Sequence, residues 1–240
     1  MKKTVQVLFL IWAVLGLSTA CTTQQITQAV GVLTNVPLSK EEAGQALKDA
    51  LIQGITKGTG LASQEGGYLN NALIRIPFPP ETERVANTLR DIGLGGEVDK
   101  FVRSLNRGAE EAAKEALPIF KQAIVQLSFQ DAFAILRNES KIAATDYLQR
   151  TTTTQLQAVF QPIVQRNLDK VNATKFYGEL VDRYNRIPLV KKANPDLEAY
   201  ATERAIAGLF QLVAQEEQNI RTNLSARSTE LMRKAFAQQD

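Results

Sequence analysis

The sequence predicts an all-α fold: a single irregular multi-helix bundle behind an N-terminal signal peptide and a short tether. Three observations predict it. Apolar residues recur at three- and four-residue spacing through most of the chain, the period of one helix face. Helix-start and helix-stop residues punctuate those stretches. No alternating run of strand length, heptad train or internal repeat is present. At 240 residues and 44% hydrophobic content, the chain is long and apolar enough for one buried core, and its composition argues against disorder.

Residues 1–20 are organised as an export signal. Lys2 and Lys3 form a short positive start, Val7 to Leu17 form an apolar core, and Ser18-Thr19-Ala20 supply small residues before Cys21. The apolar core is too short to span a bilayer as a helix. Leu17-Ser18-Thr19-Ala20-Cys21 resembles a lipobox, with Ser18 where an aliphatic residue is usual. Ser18-Thr19-Ala20 also fits ordinary signal cleavage, which would leave a soluble periplasmic protein. The only cysteine of the chain stands where lipidation needs it, which favours a lipoprotein. With Thr22 next, the expected destination is the periplasmic side of the outer membrane. Acyl chains anchor by burying methylenes, each contributing about 0.8 kcal/mol. The expected organisation is signal peptide 1–20, lipidated Cys21 and tether 21–38, and helical domain 39–240.

Along that domain, Ser39-Lys40-Glu41-Glu42 reads as a capping box. Ala43, Ala46, Leu47, Ala50, Leu51 and Ile55 form the stripe of the helix it starts, which Gly58-Thr59-Gly60 is expected to end. Residues 61–80 are less regular: Gly66-Gly67 breaks the chain, residues 72–76 suit a short helix or an extended segment, and Pro77, Pro79 and Pro80 stiffen a crossing. Pro80 suits the first turn of a helix reaching Ile92, followed by a turn at Gly93–Gly96. From Val98 to Leu127 the apolar positions keep one phase, which predicts a long helix kinked near Pro118. Further helices are expected at 129–136, 140–150, 153–170 (bent or divided at Pro162) and 174–185. Asn194-Pro195 is expected to cap a central helix, apolar on most faces from Ala205 to Ala214. Ser225 or Ser228 should cap a last helix ending near Phe236.

Four segments carry a family resemblance. Asn106-Arg107-Gly108-Ala109-Glu110-Glu111-Ala112-Ala113 is the first, and Pro118 to Ile124 the second. Asp131-Ala132 with Ala143 to Leu148 is the third, and Tyr200-Ala201-Thr202, Gly208-Leu209-Phe210 and Glu216 to Arg221 form the fourth. Together they resemble the bacterial family called domain of unknown function 4197, across roughly residues 39–238. Departures are Gly108 for an alanine, Arg137-Asn138 for a glycine, and Asn223 for a proline. The resemblance implies an exported helical domain, often a lipoprotein, and implies no reaction.

Composition narrows the chemistry. No histidine occurs, so imidazole catalysis and His-ligated metals, including Glu-x-x-His di-iron sites, are excluded. One cysteine excludes intrachain disulfides and CxxC chemistry. Removing residues 1–20 takes away Lys2 and Lys3 and no acid, so 28 basic and 25 acidic residues become 26 and 25, a net of +1. Nucleic acid is therefore not an expected partner, and Lys191-Lys192 with Arg183 and Arg186 reads as a solvated face. No metal or cofactor is expected.

Candidate polar residues fall into three groups. Asn106, Arg107 and Glu110 flank an apolar stripe, where Arg107 could bind an anion or the group could lock helices together; Glu110–Lys114 and Asp99–Arg103 have ion-pair spacing. Asp131, Thr145 and Asp146 lie near helix starts, where they can satisfy free amides. Glu216, Glu217 and Arg221 follow the most apolar helix, with Glu217–Arg221 at salt-bridge spacing. Three functional classes follow. The favoured one is a non-enzymatic binding module with an envelope partner. The second is a carrier or sensor of a small apolar ligand, its cavity lined by Phe120, Phe133, Phe160, Phe176, Tyr177 and Phe210. The third is a carboxylate hydrolase or lyase, which no specific motif supports.

Overall fold

The computed structural model describes residues 38–189 and 192–237. The expected signal peptide, Cys21 and nearly all of the tether lie outside the described residues. The chain divides between Ser39 and Lys40, and the second unit is the helical body.

Among the described residues there are nine α-helices and no strand: α1 (Lys40–Ser63), α2 (Glu83–Asp91), α3 (Gly95–Ala113), α4 (Ala116–Gln126), α5 (Phe129–Leu136), α6 (Ala143–Asp169), α7 (Ala173–Asn185), α8 (Leu197–Thr222) and α9 (Glu230–Phe236), with 3-10 turns at Pro80–Thr82 and Leu224–Ala226. The all-α expectation holds. The helix α8 packs on α1, α3 and α6, and α3 packs on α6, so these four long helices form the body. The shorter α4, α5 and α9 all pack against α1. The α8 residues Ala205, Ile206, Leu209, Phe210, Leu212 and Val213 are all buried, as an apolar run without a polar face requires.

Several boundaries differ from the sequence reading, each for a local reason. Gly58-Thr59-Gly60 does not end α1. A Cβ on Gly58 would stand 3.3 Å from the Val213 nitrogen, so this glycine serves close helix approach. The Thr59 hydroxyl donates to the Ile55 carbonyl at 2.6 Å, which keeps it inside the helix. The expected long helix breaks at Lys114-Glu115, where amides reach back three residues to Glu111 and Ala112. Pro118 is then the third residue of α4, where its missing amide has no helical partner to lose. Conversely, α6 is continuous where two helices were expected. Thr151, Thr152 and Thr153 each donate to a carbonyl four residues back, and Pro162 lies inside the helix.

At the start of α8, Asn194 Oδ1 accepts the Asp196 amide in an Asx turn, and Asp196 is the residue that caps the helix through the Ala199 amide. For α9 the cap is Thr229, which accepts from the Met232 amide, in place of either serine.

Candidate functional site

Glu216, Glu217 and Arg221 project from the second half of α8. The side chains of Glu217 and Arg221 are 9% and 1% exposed and pair at 2.9 Å. Oε1 of Glu217 accepts the Ala144 amide at 3.0 Å, and Oε2 accepts the Thr145 amide at 2.7 Å and its hydroxyl at 2.8 Å. These are amides of the first turn of α6, so the carboxylate sits where the helix dipole favours negative charge. Arg221 donates to the carbonyls of Leu136 at 3.2 Å and Ile135 at 3.1 Å, at the end of α5. That end favours positive charge for the same reason. Glu216 pairs with Lys57 of α1 at 2.8 Å. Glu216 and Glu217 are thus both held by donors from other helices.

The second group lies on α3. Asn106 is fully buried. Its Oδ1 accepts the Ile76 amide at 2.9 Å, and its Nδ2 donates to the Ile76 and Val102 carbonyls, both at 2.8 Å. One side chain thereby satisfies both backbone groups of a buried extended residue, as a neighbouring strand would. Glu110 Oε1 accepts the amides of Tyr68 and Leu69 at 3.2 and 3.3 Å. Arg107 closes on Glu110 and Glu111, both at 3.4 Å. The anion-binding arginine of the sequence reading therefore meets carboxylates of its own helix. Asp99 pairs with Arg90 of α2 at 2.8 Å, across the turn that joins α2 to α3.

The structure brings Thr145, Glu217 and Arg221 together in one hydrogen-bonded set, and Asn106, Arg107 and Glu110 around the 68–76 crossing. Asp131 and Asp146 enter neither set. Asp131 sits in the first turn of α5, where its amide and carboxylate both bond Ser128 Oγ, at 3.0 and 2.6 Å. Asp146 is in the first turn of α6, its amide bonded to the Ile142 carbonyl at 2.9 Å. Among the described residues no group of three or more His, Cys, Asp or Glu is arranged to hold a metal ion.

Three partners were not legible in the sequence. Tyr68, wholly buried, donates its hydroxyl to the Ala205 carbonyl at 2.6 Å. Burial first, and the Glu110 carboxylate second, push its phenol far above the ordinary range. Arg227, 1% exposed, donates to the Ile220 and Arg221 carbonyls, both at 3.0 Å, and so covers the end of α8. Its guanidinium and that of Arg221 each lie 5.8 Å from the Phe236 ring centre. Asn167 of α6 donates to Glu111 at 2.7 Å, and this bond holds the Glu111 carboxyl below the usual glutamate value. The only available signal for Tyr68 was Gly66-Gly67 just before it; a lone arginine after a helix carries none.

The aromatic residues do not converge on one cavity. Phe120 packs on Phe210 at 5.6 Å, while Phe176 and Tyr177 join Phe101 at 6.4 and 6.0 Å. The interior void beside Glu217, Arg221 and Phe236 is only about 10 Å³, room for a single water. Larger space is open to solvent. A cleft of about 400 Å³ lies between Lys100 and Phe101 of α3, Val171 and Asn172 of the α6–α7 turn, and Phe176 of α7. Another, of about 290 Å³, lies between Phe78, Asn87 and Arg90. No described helix is long and apolar enough to cross a membrane.

A family model described as a protein of unknown function (DUF4197) matches residues 37–237. No curated protein matches the chain, and no solved structure does.

Proposed function

Because the chain belongs to the DUF4197 family over residues 37–237, an uncharacterised helical domain, we propose that it acts as a non-enzymatic binding or interaction module, tethered to the periplasmic face of the outer membrane through lipidated Cys21. The observation that carries this reading is the use of the buried carboxylates. Glu110 and Glu217 accept backbone amides of the 68–69 turn and of the α6 start, so each ties its own helix to another part of the chain. A general acid or base must instead present a free oxygen to substrate. The export signal and the position of Cys21 support the anchor. A folded domain held at a membrane by a tether is suited to presenting a surface to another envelope component.

The test is fractionation of cells expressing the full chain and its Cys21→Ser variant, with intact-mass analysis of the mature N-terminus. Membrane association with an acylated mass for the parent, and release of the variant, are expected. Unchanged fractionation together with an unacylated parent would overturn the anchor and leave a soluble periplasmic protein.

A second reading, a carrier of a small apolar ligand, is favoured by one feature: the 400 Å³ cleft beside Phe101 and Phe176. Native mass spectrometry of the protein purified without detergent separates the two. A reproducible extra mass lost on denaturation would move the carrier ahead of the module.

A further inference from the structure

We infer that the cleft between α2 and the segment 75–80 binds a short peptide with free ends, about three residues long, its carboxylate held by Arg75 and Arg90 and its ammonium by Glu83. This cleft is not the one that favours a carrier, and binding in it is independent of any lipid at Cys21.

The cleft, of about 290 Å³, has an apolar floor and a charged rim. Phe78, Ala86 and Val102 are buried and form the floor. The rim comes from Arg75 and from one face of α2, along which Glu83, Asn87 and Arg90 follow at helical spacing. Among the described residues, the side chains of Arg75, Glu83 and Asn87 make no hydrogen bond or ion pair. Arg90 gives Nη2 to Asp99 at 2.8 Å, which steadies its head and leaves Nε and Nη1 for another acceptor. The rim thus carries opposite charges that the fold does not use. In the 400 Å³ cleft, by contrast, Glu97 and Lys100 satisfy each other at 2.8 Å. Arg84 and Asp91, the other charged groups of α2, do not line the 290 Å³ cleft.

Spacing selects the ligand. Glu83 and Arg90 stand two turns apart on α2, about 10 Å along the helix axis. Three extended peptide residues span about the same distance, so one ligand can meet both ends. A lone amino acid holds its two charges too close together for that, and Glu83 would repel a phosphate. The wall facing α2 is fixed in advance. Pro77, Pro79 and Pro80 set their own backbone angles. Asn106 holds both backbone groups of Ile76, Tyr200 donates to the Pro77 carbonyl at 3.3 Å, and the Thr82 hydroxyl donates to the Pro79 carbonyl at 3.1 Å. The Phe78 ring is backed by Phe101 at 4.7 Å. Such a wall loses little freedom when a ligand arrives. Pro77 and Pro80 line the cleft without amides to offer, so the charged ends of a peptide must be met by side chains.

The test is isothermal titration calorimetry of the full chain, in mild detergent, with the tripeptide alanyl-leucyl-alanine and with its N-acetylated and C-amidated forms. Saturable one-to-one binding of the free tripeptide is expected, with each blocked form about tenfold weaker through loss of one charge-assisted contact. Arg75→Gln should narrow the gap between the free and amidated peptides, and Glu83→Gln the gap between the free and acetylated ones. Both residues are exposed and bond no other side chain, so both variants should unfold at the parent's temperature. No saturation by about 10 mM peptide, or equal affinity for free and blocked forms, would overturn the site. Leucine binding as tightly as the tripeptide would overturn the two-ended grip. Binding that both variants keep in full but Lys100→Gln loses would place the peptide in the 400 Å³ cleft, and also overturn it. The Cys21→Ser fractionation is read separately, so the anchor and the peptide site can each fail alone.

Discussion

Glu217 and Arg221, one turn apart on α8, close the ends of two other helices at once. The carboxylate takes the first amides of α6, and the guanidinium takes the last carbonyls of α5. Their own 2.9 Å contact neutralises both charges in the interior. The residues between those ends, 137–142, make the turn that this pair braces from below.

Removing one member of the pair leaves the other charged and buried. Glu217→Ala or Arg221→Ala should therefore destabilise by about 3–5 kcal/mol each. The double variant Glu217→Leu/Arg221→Met should lose clearly less than the two single losses together, because no lone charge remains. Urea denaturation of the four proteins checks this. Single losses below about 1 kcal/mol, or strict additivity, would mean that the pair does not brace the helix ends.

Asn106 should behave as a strut for the 64–79 crossing. Asn106→Leu keeps a similar volume but leaves the buried amide and carbonyl of Ile76 without partners, at about 1–3 kcal/mol each. The expected result is a loss of about 2–6 kcal/mol and much faster hydrogen exchange at the Ile76 amide. Normal protection at Ile76 in a folded variant would show that another group takes over the role.

How much of this was readable from the sequence depends on the distance over which each feature is decided. The helices 129–136 and 174–185 were legible because local periodicity and caps fix them, and α5 and α7 occupy almost those ranges. The Glu217–Arg221 spacing was also local, so its ion pair could be read. What the pair does could not be, because Ala144 and Ile135 lie far away in the chain. The same limit hid Arg227 and the bond from Tyr68 to Ala205. At Gly58 and Pro118 the residues were read for their local habit, whereas packing against Val213 and a break two residues before α4 decided the outcome.

Two glycines should respond to alanine with opposite signs. A Cβ on Gly208 would stand 2.8 Å from Tyr68 Cε1 and 3.0 Å from Ile74 Cβ. Neither neighbour is free to move: Tyr68 is wholly buried and tied to Ala205, and Ile74 is buried. Gly208→Ala should destabilise by about 1–3 kcal/mol through overpacking, despite the better helix propensity. Gly60, near the exposed end of α1, has nothing within 4 Å of such a Cβ. Gly60→Ala should stabilise by up to about 1 kcal/mol. Thermal unfolding of both variants decides, and a stabilised Gly208→Ala would refute the close approach of α8 to the crossing.

Tyr68 should make the protein sensitive to alkali in a defined direction. Its ordinary pKa is 10.0, and burial raises it well above that in the fold. Below pH 10 both folded and unfolded phenols are protonated, so its full contribution is present. As pH rises past 10 the unfolded chain releases that proton and the native one does not. Stability then falls, by as much as about 1.4 kcal/mol per pH unit for this one group. Tyr177 and Tyr200 are raised by burial too, so the parent has a steeper decline than Tyr68 alone would give. Tyr68→Phe should cost about 1 kcal/mol at pH 8, for the lost bond to the Ala205 carbonyl. Because the variant escapes one share of the alkaline loss, the gap between the two proteins should close by about pH 11. Urea midpoints of parent and variant from pH 8 to pH 11 measure that gap. A gap that stays constant across the range would mean that the native phenol ionises as readily as the unfolded one, and that the 68–69 segment opens to solvent before the fold is lost.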